Sequence, residues 1–251
     1  ELREAERWLE SPEAADPDYS ETLRSLVQTS RAALEQMRAH LDDVDLGVVR
    51  KYEQRFRHDV MAHVHAFGDQ APAARPFIHL GATSAFVTDN AELIVLRESL
   101  RLLLGRLVAV MKALADFADK YRDMPTMAYT HFQPAQLTTV GKRAVLWLHD
   151  FSLDAAAMFD MATNLMFRGC KGTTGTQASY LELFQGDHDK VRELDRNVAR
   201  RFGFEQSIPV CGQTYTRKID SRLMDLLSGI AQTASKFATD MRLLQHEGEL
   251  L

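Results

Sequence analysis

The chain has 251 residues and very little cysteine: Cys170 and Cys211 are the whole supply. Two cysteines build neither a disulfide framework nor a multi-cysteine zinc site, and such sparing use suits a reducing compartment. No uncharged run is long enough to span a bilayer, and no basic-then-apolar leader opens the chain. A cytoplasmic protein with no membrane partner is therefore expected. Positive charge is not in excess either. The formal net charge is −5, which gives no reason to expect nucleic acid or an anionic membrane as a partner. Alternation at period two never lasts long enough to argue a sheet. The paired carboxylates that glycoside hydrolysis usually needs are missing, and so is a nucleophile elbow.

What remains is ordinary in composition and unusual in pattern. Hydrophobic residues make up 45% and charged residues 26%, as in a soluble globular protein of one large or two small domains. Residues 1–46 read as two short helices around a turn marked by Ser11-Pro12-Glu13 and Asp16-Pro17-Asp18, with Ser20 as the cap of the second. Three later stretches, 91–121, 134–167 and 222–244, are long and apolar on more than one face. Some thirty residues of helix span roughly 45 Å. A helix that is hydrophobic nearly all round has to be surrounded, and three cannot all be surrounded within so short a chain. The expected fold is all-α: an N-terminal helical domain over residues 1–88 and a long-helix bundle over 89–251, its central helices packing against other subunits.

Polar segments interrupt these helices. Residues 51–67 (KYEQRFRHDVMAHVHAF) read as one helix carrying His58, His63 and His65. At ~100° per residue His63 and His65 point to nearly opposite sides. His58 and His65 share a face but lie ~10 Å apart along the axis, too far for one ion, so a proton or ligand role is expected and a metal is not. Asp59 can pair with His63 four residues on. Residues 78–84 (IHLGATS) put two hydroxyls on a small-residue loop suited to a carboxylate or phosphate, with Thr88 or Asp89 as the cap of the next helix.

Residues 130–143 (THFQPAQLTTVGKR) gather two Gln, three Thr, a His and two cations around Pro134. Each such group costs roughly 1–3 kcal/mol if buried unpaired, so this is no core segment. Pro134 reads as the first turn of a helix, making the segment a polar loop delivered onto a helix N-terminus, where anions are favoured. Residues 168–179 (RGCKGTTGTQAS) have the composition of a phosphate loop but not the GxxxxGK[ST] pattern, and follow no strand; a flexible connector explains them as well. Residues 212–218 (GQTYTRK) head the last long helix with cations that oppose its dipole, which favours a ligand-related role over a solvated first turn. Together these segments suit holding a polyanionic small molecule while a histidine moves a proton.

Five stretches, RHDVMAHVH (57–65), HLGATS (79–84), THFQPAQLTTVGKR (130–143), KGTTGTQAS (171–179) and GQTYTRK (212–218), resemble in sequence and order the adenylosuccinate lyases of the fumarase/aspartase superfamily. The resemblance implies β-elimination of fumarate from adenylosuccinate, giving AMP, and from the succinyl-aminoimidazole-carboxamide ribotide. It implies His131 as the general acid, a role an imidazole can fill near neutrality. It implies His58 as a second active-site histidine near the phosphate, flanked by Arg57 and Asp59. Thr83 and Ser84 would take carboxylates, and Thr130 and Gln213 would contact substrate. Lys142 and Arg143 stay open between site and scaffold. No cofactor and no metal are implied, and a homotetramer with each site built from three subunits is.

Two family features have no counterpart: the serine base on a GSSxMPxKxNP loop, and an N-terminal Arg-Tyr pair that contacts phosphate. The start at Glu1 and the end at Leu251 suggest a cut from a longer chain, and the missing loop implies that these residues alone are inactive. Alternatives are another superfamily lyase, such as argininosuccinate lyase, or a non-catalytic helical assembly module.

Overall fold

The structure is a computed structural model that describes residue 10 and residues 17–249. The expected turn at Ser11-Pro12-Glu13 lies outside the described residues. Those residues form eight α-helices, one short 3-10 turn and a two-stranded hairpin. They pack as two units, Glu1–Thr88 with Cys170–Val191, and Asp89–Gly169 with Arg192–Leu251. The sequence-based boundary between residues 88 and 89 leaves 170–191 with the bundle, whereas its contacts group that segment with the first unit.

In the first unit α1 (Pro17–Ala39) begins on its proline, a residue whose fixed φ suits a first turn. Ser20 therefore lies inside the first turn and not ahead of it. Gln36 Oε1 accepts the Ala73 N–H at 2.8 Å and ties α1 to the 3-10 turn Pro72–Ala74. Small side chains allow the close approach: Ala33, Ala71 and Ala74 are buried together. Next, α2 (Leu46–Phe56) is capped by Asp45, whose Oδ1 accepts from Gly47 N at 2.8 Å and Val48 N at 3.2 Å. It packs on α3 (Asp59–Gln70) through Val49, Ala62 and Ala66.

The single helix expected over 51–67 is thus two. Arg57 adopts φ 54°, ψ 37°, and its N–H bonds back to Glu53 O at 2.7 Å; His58 is extended and caps α3. His58 and His65 are not on one helix, so the shared face expected for them does not exist. His65 instead stacks on Phe56 and Tyr52, with ring centroids 4.6 and 5.3 Å away.

In the second unit three helices carry the packing: α4 (Ser84–Lys120), α5 (Val140–Asn164) and α8 (Lys218–His246). Buried layers run along them: Leu100 with Met158 and Ala162, then Leu107 with Phe151 and Ala155, then Ala118 with Ala144 and Trp147. The other face of each stays bare, at Val95, Leu102 and Val108 on α4, Leu153 and Phe159 on α5, and Met224 on α8. A separate cluster of Leu93, Phe167, Phe204 and Tyr215 packs with Ala199 near the C-terminal end of α7 (His188–Arg201). Helix α4 starts at Ser84, four residues before Thr88, so neither Thr88 nor Asp89 is its cap. The remaining helix, α6 (Ala178–Leu183), belongs to the first unit.

The helical expectation holds for most of the described residues, with one departure: a hairpin, β1 (Pro125–Thr130) with β2 (Gln133–Thr139). Pro134 lies in β2, not in a helix. Ala135 is the extra residue of a bulge, since Ala128 pairs Gln136 and Tyr129 pairs Pro134. Helix α5 starts only at Val140, where Thr139 Oγ1 accepts the Lys142 N–H at 3.1 Å. The hairpin was hidden because β2 is exposed from Gln133 to Leu137. A strand solvated on both faces shows no apolar alternation, and a proline is tolerated on an edge strand.

Candidate active site

The expected residues fall in both units. In the first unit, the break at Arg57 places His58. Its Nδ1 accepts the Met61 N–H at 3.3 Å, and its Nε2 lies 3.1 Å from Ser84 Oγ. An Nδ1 that accepts carries no proton, so the neutral ring holds its hydrogen on Nε2 and donates it to Ser84. The Ser84 hydroxyl, already accepting, keeps its own proton to offer a ligand oxygen. Thr83 is only 3% exposed. Of the two hydroxyls expected to meet a carboxylate, Ser84 is therefore the reachable one. Asp59 Oδ1 stands 3.5 Å from His58 Nδ1 but is largely exposed, so this pairing contributes little.

Arg57, His58 and Asp59 line an open cleft of about 710 Å³ together with Arg50, Glu53 and Gln54. Burial first, and then repulsion from the protonated form of His58, hold the His79 imidazole below its ordinary pKa. His79 sits within the HLGATS stretch, yet nothing in the sequence separated it from His63 or His65. Gly81 is needed where it stands. It has φ +73°, and a Cβ there would come within 3.0 Å of Leu183 and 3.1 Å of the Tyr180 ring. The 171–179 segment is no loose connector: Gly172 N bonds Thr176 O at 2.7 Å, Gly175 N bonds Gly172 O at 3.1 Å, and Gln177 Nε2 bonds Cys170 O at 3.1 Å. Cys170 and Lys171 are buried, while Thr173 and Thr174 are exposed.

In the second unit, Thr130 and Gln133 close a two-residue turn whose central residues are His131 (φ 54°) and Phe132 (φ 57°). Positive φ at both positions is what a type I′ turn demands, and Asn-Gly normally supplies it. For L side chains other than Gly, Asn or Asp that region costs roughly 1–2 kcal/mol each. Among the described residues, three of the four non-glycine residues at positive φ are Arg57, His131 and Phe132. Strain thus collects beside the two expected histidines, as it tends to at functional sites. His131 stands exposed at the tip, and Phe132 is 86% exposed.

The base of the hairpin is tied down by Arg143, which donates to Glu249 and, at 2.6 Å, to Met127 O. Thr126 Oγ1 donates to the same Glu249 carboxylate at 3.0 Å. The Arg143 hydrogen bond holds the Glu249 carboxyl below its usual range, while burial and then Glu249 push the Tyr129 phenol up. Arg143 thus ties the hairpin base and, with the exposed Lys142, also lines a cleft of about 910 Å³ that includes His131, Trp147, Lys236 and His246.

Gln213 is exposed, and its carbonyl accepts from Arg168 Nε at 2.9 Å. Two residues on, Tyr215 is 1% exposed and donates its hydroxyl to Asp220 at 2.6 Å. Burial, and then that bond, pushes the phenol up beyond its ordinary range. Burial is the largest single influence and opposes the Arg217 charge, but Asp89, Tyr215 and Glu92 together outweigh it and the guanidinium is held above its usual value. Among the described residues no group of three His, Cys, Asp or Glu side chains is placed to hold a metal ion, and no helix is long and apolar enough to cross a membrane.

Long apolar helices interrupted by polar segments that carry His58 and His131 define a class of helical protein. Residues 10–250 match the lyase family, and the chain belongs to it. It is 50% identical over 227 residues to the adenylosuccinate lyase of Schizosaccharomyces pombe, spanning 90% of this chain and 47% of that one. It is 51% identical over 220 residues to the adenylosuccinate lyase of Saccharomyces cerevisiae, spanning 87% of this chain and 46% of that one. The chain spans about half the length of these curated relatives. Among solved structures, a fumarate lyase from Mesorhizobium sp. BNC1 superposes with a TM-score of 0.72 at 23% identity, over 87% of this chain and 49% of that one. The 3-carboxy-cis,cis-muconate lactonizing enzyme of Pseudomonas putida gives 0.68 at 21% identity, over 97% and 51%. At such identities these two support the fold alone.

Proposed function

We propose that the protein carrying this chain is an adenylosuccinate lyase of purine biosynthesis. It would eliminate fumarate from adenylosuccinate, giving AMP, and from the succinyl-aminoimidazole-carboxamide ribotide. The observation that carries this reading is the 50% identity over 227 residues to an enzyme of that name. In the reaction a base removes a proton from the carbon beta to the substituted nitrogen, and the electron pair left behind forms the new C=C bond. The C–N pair leaves with the nitrogen, which must then be protonated. His131, raised on the hairpin tip, is the donor. Thr130 and Gln213 contact substrate. Ser84, with its hydroxyl proton directed by the His58 tautomer, takes a carboxylate of the succinyl group, with Thr83 behind it. Arg57, His58 and Asp59 bind at the phosphate end. The carbon-bound proton is assigned to none of these residues. No cofactor enters the scheme.

A homotetramer with shared sites is part of the proposal. It is supported by the apolar faces that α4, α5 and α8 leave bare, of which Leu102, 66% exposed, is typical. The test offers the purified protein adenylosuccinate and argininosuccinate in parallel and follows fumarate. Release from adenylosuccinate with formation of AMP is expected. Release from argininosuccinate alone, or from neither, refutes the reading.

A further inference from the structure

Asp89 and Asn90 are adjacent, 2% and 4% exposed, and they hold two different loops. Asp89 Oδ2 accepts the Tyr215 N–H at 2.8 Å, and its Oδ1 accepts from Arg217 Nη2 at 3.2 Å. Asn90 bonds Gly169 on both sides: Gly169 N donates to its Oδ1 at 3.1 Å, and its Nδ2 donates to Gly169 O at 3.3 Å. Between the two loops runs Arg168, fully buried, with Nε on Gln213 O at 2.9 Å and Nη1 on Gly169 O at 3.2 Å. Arg217 is held further by Glu92 at 3.1 Å and lies 4.4 Å over the Tyr215 ring.

Within 212–218 the pattern of exposure is uneven. Tyr215 is buried, while Gln213, Thr214, Thr216 and Lys218 are exposed. A surface loop that needed only to connect α7 to α8 would not require two buried charged side chains beneath it. Burying an ionised group costs several kcal/mol unless its partners are well placed. Such an investment under an exposed polar loop is the arrangement that fixes a binding geometry.

We propose that Asp89 and Arg168 are positioning residues that hold the backbone of 213–217 so that Gln213 meets the substrate. The inference rests on the reading of 212–218 as a substrate-facing loop. Asp89 removes the freedom of the loop at Tyr215, and Arg168 removes it at the Gln213 carbonyl, from opposite sides of the contact residue. Neither touches substrate.

The test is Asp89→Asn, which keeps the shape, weakens the Tyr215 acceptor from a carboxylate to an amide oxygen and removes the charge facing Arg217. KM for adenylosuccinate is expected to rise about tenfold or more with kcat changed less than about threefold, the signature of lost binding without lost chemistry. In a double-mutant cycle, Gln213→Ala is expected to raise KM less in the Asp89→Asn background than in the wild type. Amide hydrogen exchange, which needs no turnover, is expected to quicken about tenfold or more across residues 212–218 and little elsewhere. Unchanged KM with unchanged exchange overturns the inference. Quickened exchange in a protein that releases no fumarate leaves the clamp standing and sinks the adenylosuccinate reading instead. Should Asp89→Asn not fold, Arg168→Lys keeps the buried charge, loses the guanidinium fork and is expected to behave the same way. Failure of both to fold overturns it too, since the buried pair would then serve the fold and not the loop.

Discussion

Replacing Gly141 with alanine tests how the hairpin that carries His131 is seated. Gly141 is the second residue of α5, and its N–H donates to Tyr121 O at 2.9 Å at the end of α4. A Cβ added there would lie 2.3 Å from Ala118 O, 2.6 Å from Arg122 Cα and 2.8 Å from Arg122 N. All three are backbone atoms, so no rotamer change relieves the contact. A carbon meets an oxygen at about 3.3 Å or more, so the helices must part by roughly 1 Å. Overpacking of this kind costs about 1–3 kcal/mol, and weakening the Gly141–Tyr121 bond adds about 0.5–1.5 kcal/mol. Against this, alanine in place of glycine gains at most about 1 kcal/mol in a helix. The clash wins, leaving a net loss of about 1–3 kcal/mol. At roughly 2–4 °C per kcal/mol for a chain of this size, Tm falls by about 2–12 °C. Gly105 is the control: it is exposed in mid-α4, with nothing within 4 Å of its added Cβ. Gly105→Ala should raise stability by about 0.5–1 kcal/mol. Differential scanning calorimetry of both variants decides the matter. A Gly141→Ala protein as stable as Gly105→Ala would refute the close approach.

Ser84→Ala removes the acceptor of the His58 Nε2 proton and the hydroxyl offered to the ligand, so KM for adenylosuccinate should rise about tenfold or more, the loss of one hydrogen bond to a charged group; an unchanged KM would show that Ser84 does not meet the substrate. His79, whose pKa is lowered from 6.5 by burial and by His58, binds its proton less readily folded than unfolded. Its stabilising effect is therefore full above pH 6.5 and is lost as pH falls through and below that value. Urea denaturation at several pH values should show a decline that flattens in His79→Gln, and an identical decline in both would rule the residue out. Phe132→Gly relieves roughly 1–2 kcal/mol of left-handed strain and loses about 0.5–1 kcal/mol to unfolded-chain entropy. With the ring 86% exposed there is little packing to lose, so Tm should hold or rise slightly; a fall of several degrees would mean that the ring is engaged.

The long helices were legible because apolar residues recur at helical spacing over α4, α5 and α8, and no local feature competes with that signal. Their ends were less so. Helix α4 starts at Ser84, and the Asp89 carboxylate, a good cap by residue type, is instead occupied by Tyr215, 126 positions away. The break at Arg57 has no sequence mark, since neither glycine nor proline stands there; the left-handed residue is an arginine. The hairpin failed for the opposite reason. Its turn residues are His131 and Phe132, where turn chemistry would put Asn-Gly, and Pro134 imitates a helix start. Positions where local propensity and structure disagree in this way are those a functional site tends to occupy. The expected site residues could be named from the resemblance of five short segments. The clamp of Asp89, Asn90 and Arg168 could not, because it joins side chains by contacts that residue order does not reveal.

The measurement closest to the heart of the proposed chemistry is fumarate release by a His131→Asn variant of the protein carrying this chain, compared with wild type across pH. Removing the proton donor to the departing nitrogen should lower kcat by about 10²- to 10⁴-fold with adenylosuccinate still bound, and should abolish the limb of the pH profile that depends on the donor. A variant that releases fumarate within a few-fold of wild type, with the profile unchanged, would contradict the assignment of His131 as the acid.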